Sequence, residues 1–379
     1  MRRNRLQPER GSVTRSNLRT PMALSLPLAA VIALSGCVAP TMDNPDSREA
    51  EQRAIHYLSR EVAAWNPEHK CYSCHNNGDG AASLFLADLS QKTPATPDSL
   101  ADTIAWLERP ETWHENKGDP AYSDFKLARL QFGGALLNTT YLDPSLFHPA
   151  LPEAARQIAA DQDADGSWKI ETDSSPGSPV TYGNAIATAR AIKILSLTDK
   201  TKYAPRIASA RRWLRDFPIH NTTSAAGVLL GLSSPETSHQ HEAHSKQVKA
   251  AIQFLLRSQS QTTGGWGPFP NSSPEPFDTA VALIALAESP DHHTTPVTSA
   301  IARGRQSLLA TQFEEGGWPE TTRPAGDQSY AQHISTTAWC LKALVLSKDQ
   351  RCLWPIGQPD RLTSPHETTG RRSSPRSAP

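Results

Sequence analysis

From about residue 48 to residue 349 the chain alternates two kinds of helical segment. "VTSAIARGRQSLLATQ", "SKQVKAAIQFLLRSQ" and "YAPRIASARRWLRDF" carry apolar residues at helical spacing on one side and Arg, Lys or Gln on the other. After a break of turn residues, each gives way to a segment that is small and apolar nearly all round: "STTAWCLKALVLS", "DTAVALIALAES" and "TTSAAGVLLGLS". Ser and Thr at the start of the first, and Asp278 at the start of the second, suit N-cap positions. The pairs "LPEAARQIAADQ" with "NAIATARAIKILSL", "DSLADTIAWLER" with "SDFKLARLQFGGALLNT", and "EQRAIHYLSREVAAW" with "GAASLFLADLS" complete the series. Helices apolar all round belong inside and amphipathic ones outside. The pattern therefore predicts an all-α fold, an (α/α)6 toroid of six helix pairs with parallel inner and antiparallel outer helices.

The breaks repeat as well. Trp168 in "QDADGSW", Trp266 in "SQSQTTGGW" and Trp318 in "TQFEEGGW" follow Gly or Gly-Ser, and the first gap is about twice the second, a unit of about fifty residues. Gln162 with Trp168, Gln261 with Trp266, and Gln312 with Trp318 resemble the QW repeats of the terpenoid cyclase and protein prenyltransferase superfamily, whose domains are α/α toroids. The resemblance covers about residues 150 to 348 by motif and implies the fold rather than the chemistry. Squalene and hopene cyclases of that superfamily protonate an alkene with Asp-x-Asp-Asp, a task that needs a neutral carboxylic acid beside supporting carboxylates. The nearest stretch, "DQDADG" (Asp161, Asp163, Asp165), departs from that motif and reads as an exposed acidic turn. The prenyltransferase zinc site uses Asp, a nearby Cys and a distant His, and no Asp-x-Cys occurs. His239, His241 and His244 in "SHQHEAH" read as a solvated loop entering an outer helix. The sequence thus leaves catalysis open.

The ends of the chain add an address. A basic segment precedes the apolar run Met22 to Ser35, which is of signal-peptide length and too short for a comfortable span. It ends in "LSGC", similar to a bacterial lipobox, which implies that Cys37 is acylated and holds the protein on a membrane surface. The expected organisation is a lipoprotein signal peptide at 1–37, a tether at 38–47, the toroid at 48–349 and a disordered Pro/Ser/Arg-rich tail at 350–379. The expected place is the periplasmic face of a bacterial envelope membrane. Net charge is zero, with 38 basic and 38 acidic residues, so no field recruits nucleic acid. Oligomeric state is not legible.

"CYSCHNNGDG" at residues 71–80 carries the chemistry. C-x-x-C-H is the attachment motif for haem c: Cys71 and Cys74 would form thioethers and His75 would ligate the iron. Export to an oxidising compartment agrees with it. Two alternatives stand beside it, a redox disulfide and a zinc site completed by His69. The motif occupies the outer-to-inner turn of the first pair. Met42, in the tether, is the only Met beyond the signal, so a second iron ligand should be His; His333 in "SYAQHISTT" is expected at the sixth turn, beside the first in a closed ring, with His69 and Tyr330 as alternatives. Cys340 reads as a small buried hydrophobe. The sequence reading is a membrane-anchored lipoprotein carrying one haem c for electron transfer or redox sensing, with a redox protein as partner. The alternative is a non-haem toroid enzyme or binding protein acting on an isoprenoid or a polysaccharide.

Overall fold

The computed structural model describes residues 45–90, 100–116, 125–142, 149–170, 176–233, 241–323 and 329–348. Among them every regular element is a helix, with no β-strand. The outer helices are α1 (Pro45–His69), α3 (Ala101–Leu107), α5 (Leu151–Ala160), α7 (Ala204–Asp216), α9 (His241–Ser258) and α11 (Thr295–Leu309). The inner helices are α2 (Ala81–Ser90), α4 (Phe125–Leu142), α6 (Asn184–Asp199), α8 (Thr222–Leu232), α10 (Pro276–Ala287) and α12 (Tyr330–Leu346). Each inner helix packs on the next, and α12 returns to α2, so the ring is closed. Burial follows the sequence pattern: every residue of α10 is buried, whereas α7 buries only Ile207, Ala210, Arg211 and Leu214. No described helix is long and apolar enough to cross a membrane.

The Trp turns act as clasps. Each indole is fully buried and donates to a carbonyl of its own outer helix: Trp168 to Ile158 (2.8 Å), Trp266 to Leu255 (2.7 Å) and Trp318 to Leu308 (2.8 Å). The backbone N–H of each Trp donates to a Thr of the following inner helix, Thr188, Thr279 or Thr337. The glutamines reach outward to the next repeat. Gln162 donates to the carbonyls of Gly166 and Arg206 on α7, and Gln312 to those of Gly316 and Ala50 on α1. In the fifth pair this part is played by Gln259, not the expected Gln261: Gln259 donates to Gly264 (2.7 Å) and to Ala300 on α11 (2.8 Å). That turn holds one residue more between Gln and Gly, which moves the glutamine back.

The sixth turn closes the ring on α1. Gly316 has φ +104°, and a Cβ there would sit 2.3 Å from the Arg53 carbonyl, so only glycine fits. Alongside, buried Arg305 of α11 donates to the Leu344 carbonyl (2.5 Å) and Ser347 Oγ (2.8 Å) and faces buried Glu51 of α1, which pairs with Lys348 at 2.5 Å.

Three local expectations need correction. Helix α12 starts at Tyr330, capped by Ser329, rather than at Ser335, because the Ser329 hydroxyl already accepts the Gln332 N–H. His333 therefore lies in the first turn of a helix instead of in the connecting turn. Glu275 is the N-cap of α10 and Pro276 its first residue, so Asp278 sits inside the helix. Helix α1 begins at Pro45, within the segment expected as tether. The segment expected as a signal peptide with Cys37, as well as Met42, His239, Cys352 and the stretch 350–379, lies outside the described residues.

Candidate functional site

Helix α1 ends where Lys70 adopts φ 57°, which turns the chain inward. The stretch from residue 71 to residue 80 is then pinned residue by residue. Asn116 holds Tyr72 from both sides, accepting its N–H (3.0 Å) and donating to its carbonyl (2.6 Å), while the Tyr72 ring stacks on Trp106 at 4.5 Å. Ser73 Oγ caps a π-helical segment, Cys74–Gly80, by accepting the N–H groups of His75 and Asn76. Such segments are rare and favour functional sites. Asn77 accepts from the Ser73 N–H and donates to Thr103. Asn76 donates to Tyr330 Oη, whose own proton goes to Glu61. Gly78 lets α4 approach, since a Cβ there would lie 2.9 Å from Gln131 Cβ. Cys71 and Cys74 are both buried, and no disulfide joins them.

The side chains beyond this turn meet inside the ring. Asp79, almost fully buried, accepts from Tyr182 Oη, from Gln131 Nε2 (2.8 Å) and from Ser335 Oγ (3.1 Å), and Arg190 lies 3.5 Å away. These groups come from α4, from α6 and the turn before it, and from α12. Arg190 is also held by the carbonyls of Leu130 and Gln131, in space left by Gly134, where a Cβ would come 2.4 Å from the guanidinium. Burial raises the Tyr182 phenol well above its ordinary range, so it remains a donor to Asp79.

His75 is the open end of this network. Its Nδ1 lies 2.9 Å from Ser335 Oγ, with Gln131 Nε2 at 3.3 Å. Ser335 spends its proton on Asp79 and accepts from His75, whereas Gln131 Nε2 can only donate; the shorter contact, to Ser335, favours the imidazole proton on Nδ1. Nε2 then carries the lone pair, and no partner for it occurs among the described residues. Burial pushes the imidazole below its ordinary pKa, with Asp79 opposing, which keeps the ring neutral at pH 7.

A second buried acid lies at the same end of the ring. Asp278 is fully buried; Oδ1 accepts from Arg323 (2.7 Å), and Oδ2 has no hydrogen-bond partner among the described residues. Arg323 also pairs with Glu275 at 2.7 Å. Burial raises the Asp278 carboxyl to about 7, partly offset by Arg323 and reinforced by Glu275. Between the two acids lies an aromatic layer, Trp339 edge-on to Tyr182 (5.2 Å) and to Phe277 (5.7 Å). Sequence reasoning did not single out Asp79, Gln131, Tyr182, Arg190, Ser335 or Asp278 as a site. One signal was present: "EPFD" sets Glu275 and Asp278 at the first and last positions of an Asp-x-Asp-Asp spacing, with Phe277 in the third.

The other candidates are placed apart. His333 turns away from Ser335 on α12 and packs among Tyr57 (5.5 Å), Phe313 (6.0 Å) and Glu320 (3.8 Å), so it is not brought to His75. His69 stacks on Trp65 at 3.9 Å, and Tyr330 stacks on the same indole at 5.4 Å. No cluster of three or more His, Cys, Asp or Glu placed to hold a metal ion occurs among the described residues. Asp161 and Asp163 pair with Arg129 (2.7 Å) and Lys126 (2.9 Å) of α4, and Asp165 with Lys169 (2.8 Å), which occupies the acidic turn structurally.

No protein-family model and no curated protein matches the chain. Solved structures do. The type II terpene cyclase MstE from Scytonema is 12% identical with a TM-score of 0.51, over 79% of this chain and 98% of that one. A protein from Actinoplanes is 14% identical with a TM-score of 0.52, over 80% of this chain and 100% of that one. The shared feature is the α/α toroid. The ent-copalyl diphosphate synthase from Streptomyces platensis, 18% identical with a TM-score of 0.48 over 72% of this chain, is matched over 50% of its own length.

Proposed function

We propose that the protein is a membrane-anchored envelope lipoprotein whose first turn carries one covalent haem c, serving electron transfer or redox sensing with a partner protein. The observation that supports it is the orientation of His75: Ser335, itself held by Asp79, takes its Nδ1–H, leaving the Nε2 lone pair open on a residue one and four positions along the chain from two thiols not joined to each other. These residues would hold the group, Cys71 and Cys74 through thioether bonds and His75 through the iron. Haem, when bound, supplies one-electron chemistry. The chain's part is to fix the imidazole tautomer and to keep the ring neutral. His333 packs among Tyr57, Phe313 and Glu320 and would take no part in holding the haem. The test is the mass and pyridine haemochrome spectrum of protein exported from cells with a c-haem maturation system. One haem, lost in Cys71→Ser/Cys74→Ser, is expected; an unmodified mass beside a control cytochrome that matures would overturn the reading.

A second reading rests on Asp278. A buried carboxyl that keeps its proton near pH 7 suits a general acid, and its Oδ2 is uncommitted. In this reading the ring is an enzyme that protonates an apolar isoprenoid. Turnover of isoprenoid substrates, abolished by Asp278→Asn and indifferent to the cysteine pair, would favour it over the haem reading.

A further inference from the structure

Toward the C-terminal ends of the inner helices, three cations, Arg190, Lys193 and Lys342, share two carboxylates, Asp79 and Glu288. Arg190 is committed to Tyr182 Oη (3.2 Å) and Asp79. Lys193 reaches across α8 to Glu288 at the end of α10, 3.0 Å away. Lys342, one turn beyond Trp339 on the same face of α12, has no ion pair or hydrogen bond among the described residues, and its Nζ stands 5.1 Å from the Trp339 ring centre. The charged groups that face it are Arg190 and Lys193 from α6, Glu288 from the end of α10 and Asp79 from the π-helical segment. A desolvated cation with no carboxylate in direct contact is unfavourable. The protein answers by letting the ammonium lose its proton easily: burial, reinforced by Arg190 and Lys193, lowers the group to about 7.

A bound anion would compensate the same charge. Trp339 Nε1 is a buried donor with no partner among the described residues, beside Lys342 on the helix. Apolar side chains stand one helical turn on from the cations: Leu197, 42% exposed, follows Lys193 on α6, and partly buried Leu346 follows Lys342 on α12. We propose that this end of the ring binds an amphiphilic carboxylate, its headgroup on Lys342 and Trp339 Nε1–H and its stem along Leu197 and Leu346. The site does not depend on haem attachment or on Asp278.

The experiment is calorimetric titration of the full chain with decanoate, with decanol as its neutral counterpart and with inorganic phosphate. Decanoate should bind about tenfold tighter than decanol near pH 6 and lose most of that advantage as pH rises through about 7, because only the protonated Lys342 attracts it, while decanol is unaffected. Lys342→Met should make the two ligands equivalent while still binding decanol, which also reports that the ring is folded. No decanoate binding, equal affinity in the unsubstituted protein, or an undiminished preference in Lys342→Met would overturn the proposal. Phosphate binding as tight as decanoate would overturn the amphiphile assignment in favour of a bare anion site.

Discussion

His75 Nδ1 and Ser335 Oγ, 260 positions apart in the chain, meet at 2.9 Å because the sixth inner helix packs on the first. Ser335→Ala leaves a buried imidazole N–H without its acceptor and removes one donor from Asp79. The loss should be about 1–3 kcal/mol of stability in urea unfolding. In protein carrying haem, faster binding of an external ligand such as cyanide should accompany it, and Ser335→Thr should restore both. A purely packing role for Ser335 would leave the ligand-binding rate unmoved.

The clasp glutamines differ in consequence. Gln312→Ala removes two donated bonds and the one accepted from Arg53, and should cost about 1–3 kcal/mol. Gln261→Ala, at an exposed position whose one bond is a 3.4 Å contact to the Gln259 carbonyl, should stay within about 0.5 kcal/mol. Thermal melts of the pair decide whether the assignment of Gln259 to the fifth clasp is right.

Glu51 is buried between Lys348 and Arg305 at the seam where the ring closes. Glu51→Ala leaves two cations without their carboxylate. Destabilisation of about 3–5 kcal/mol is expected, larger than for any exposed pair such as Arg53 with Glu49. Equal effects of Glu51→Ala and Glu49→Ala in denaturant titration would show that the seam is not a special point of the ring.

Asp278 binds its proton up to about pH 7 in the folded chain, against an ordinary 3.8. Between those values the folded state holds more protons than the unfolded one, so this group's contribution to stability falls as pH rises through that window and stays low above it. Asp278→Asn cannot ionise and should lack the decline. Stability curves between about pH 4 and pH 8 should therefore converge at the acid end and favour the variant at the alkaline end.

Cys37→Ala should release the protein from membranes and abolish incorporation of labelled fatty acid. A variant that still partitions with membranes, beside an unsubstituted protein that takes up no label, would remove the anchor from the proposed function.

What the sequence determined by itself is everything that repeats. Helix pairs, the inner or outer place of each helix and the Trp turns are local or periodic properties, because a helix apolar on all sides can only be satisfied inside. The toroid follows from six such pairs, and C-x-x-C-H was visible as a motif because its spacing is local. Only tertiary structure decided which side chains meet. Asp79, Gln131, Tyr182, Arg190 and Ser335 are spread over four repeats, only Tyr182 and Arg190 sharing one, and nothing local marks them until the ring brings those repeats around one centre. Ring closure did put the sixth helix beside the first, but direction on that helix separated His333 from Ser335: two residues on an α-helix are about 200° apart, so one faces the outer wall and the other the interior. The choice of Gln259 over Gln261 has the same origin, since a single residue in a turn re-aims a side chain while leaving the pattern of the chain unchanged.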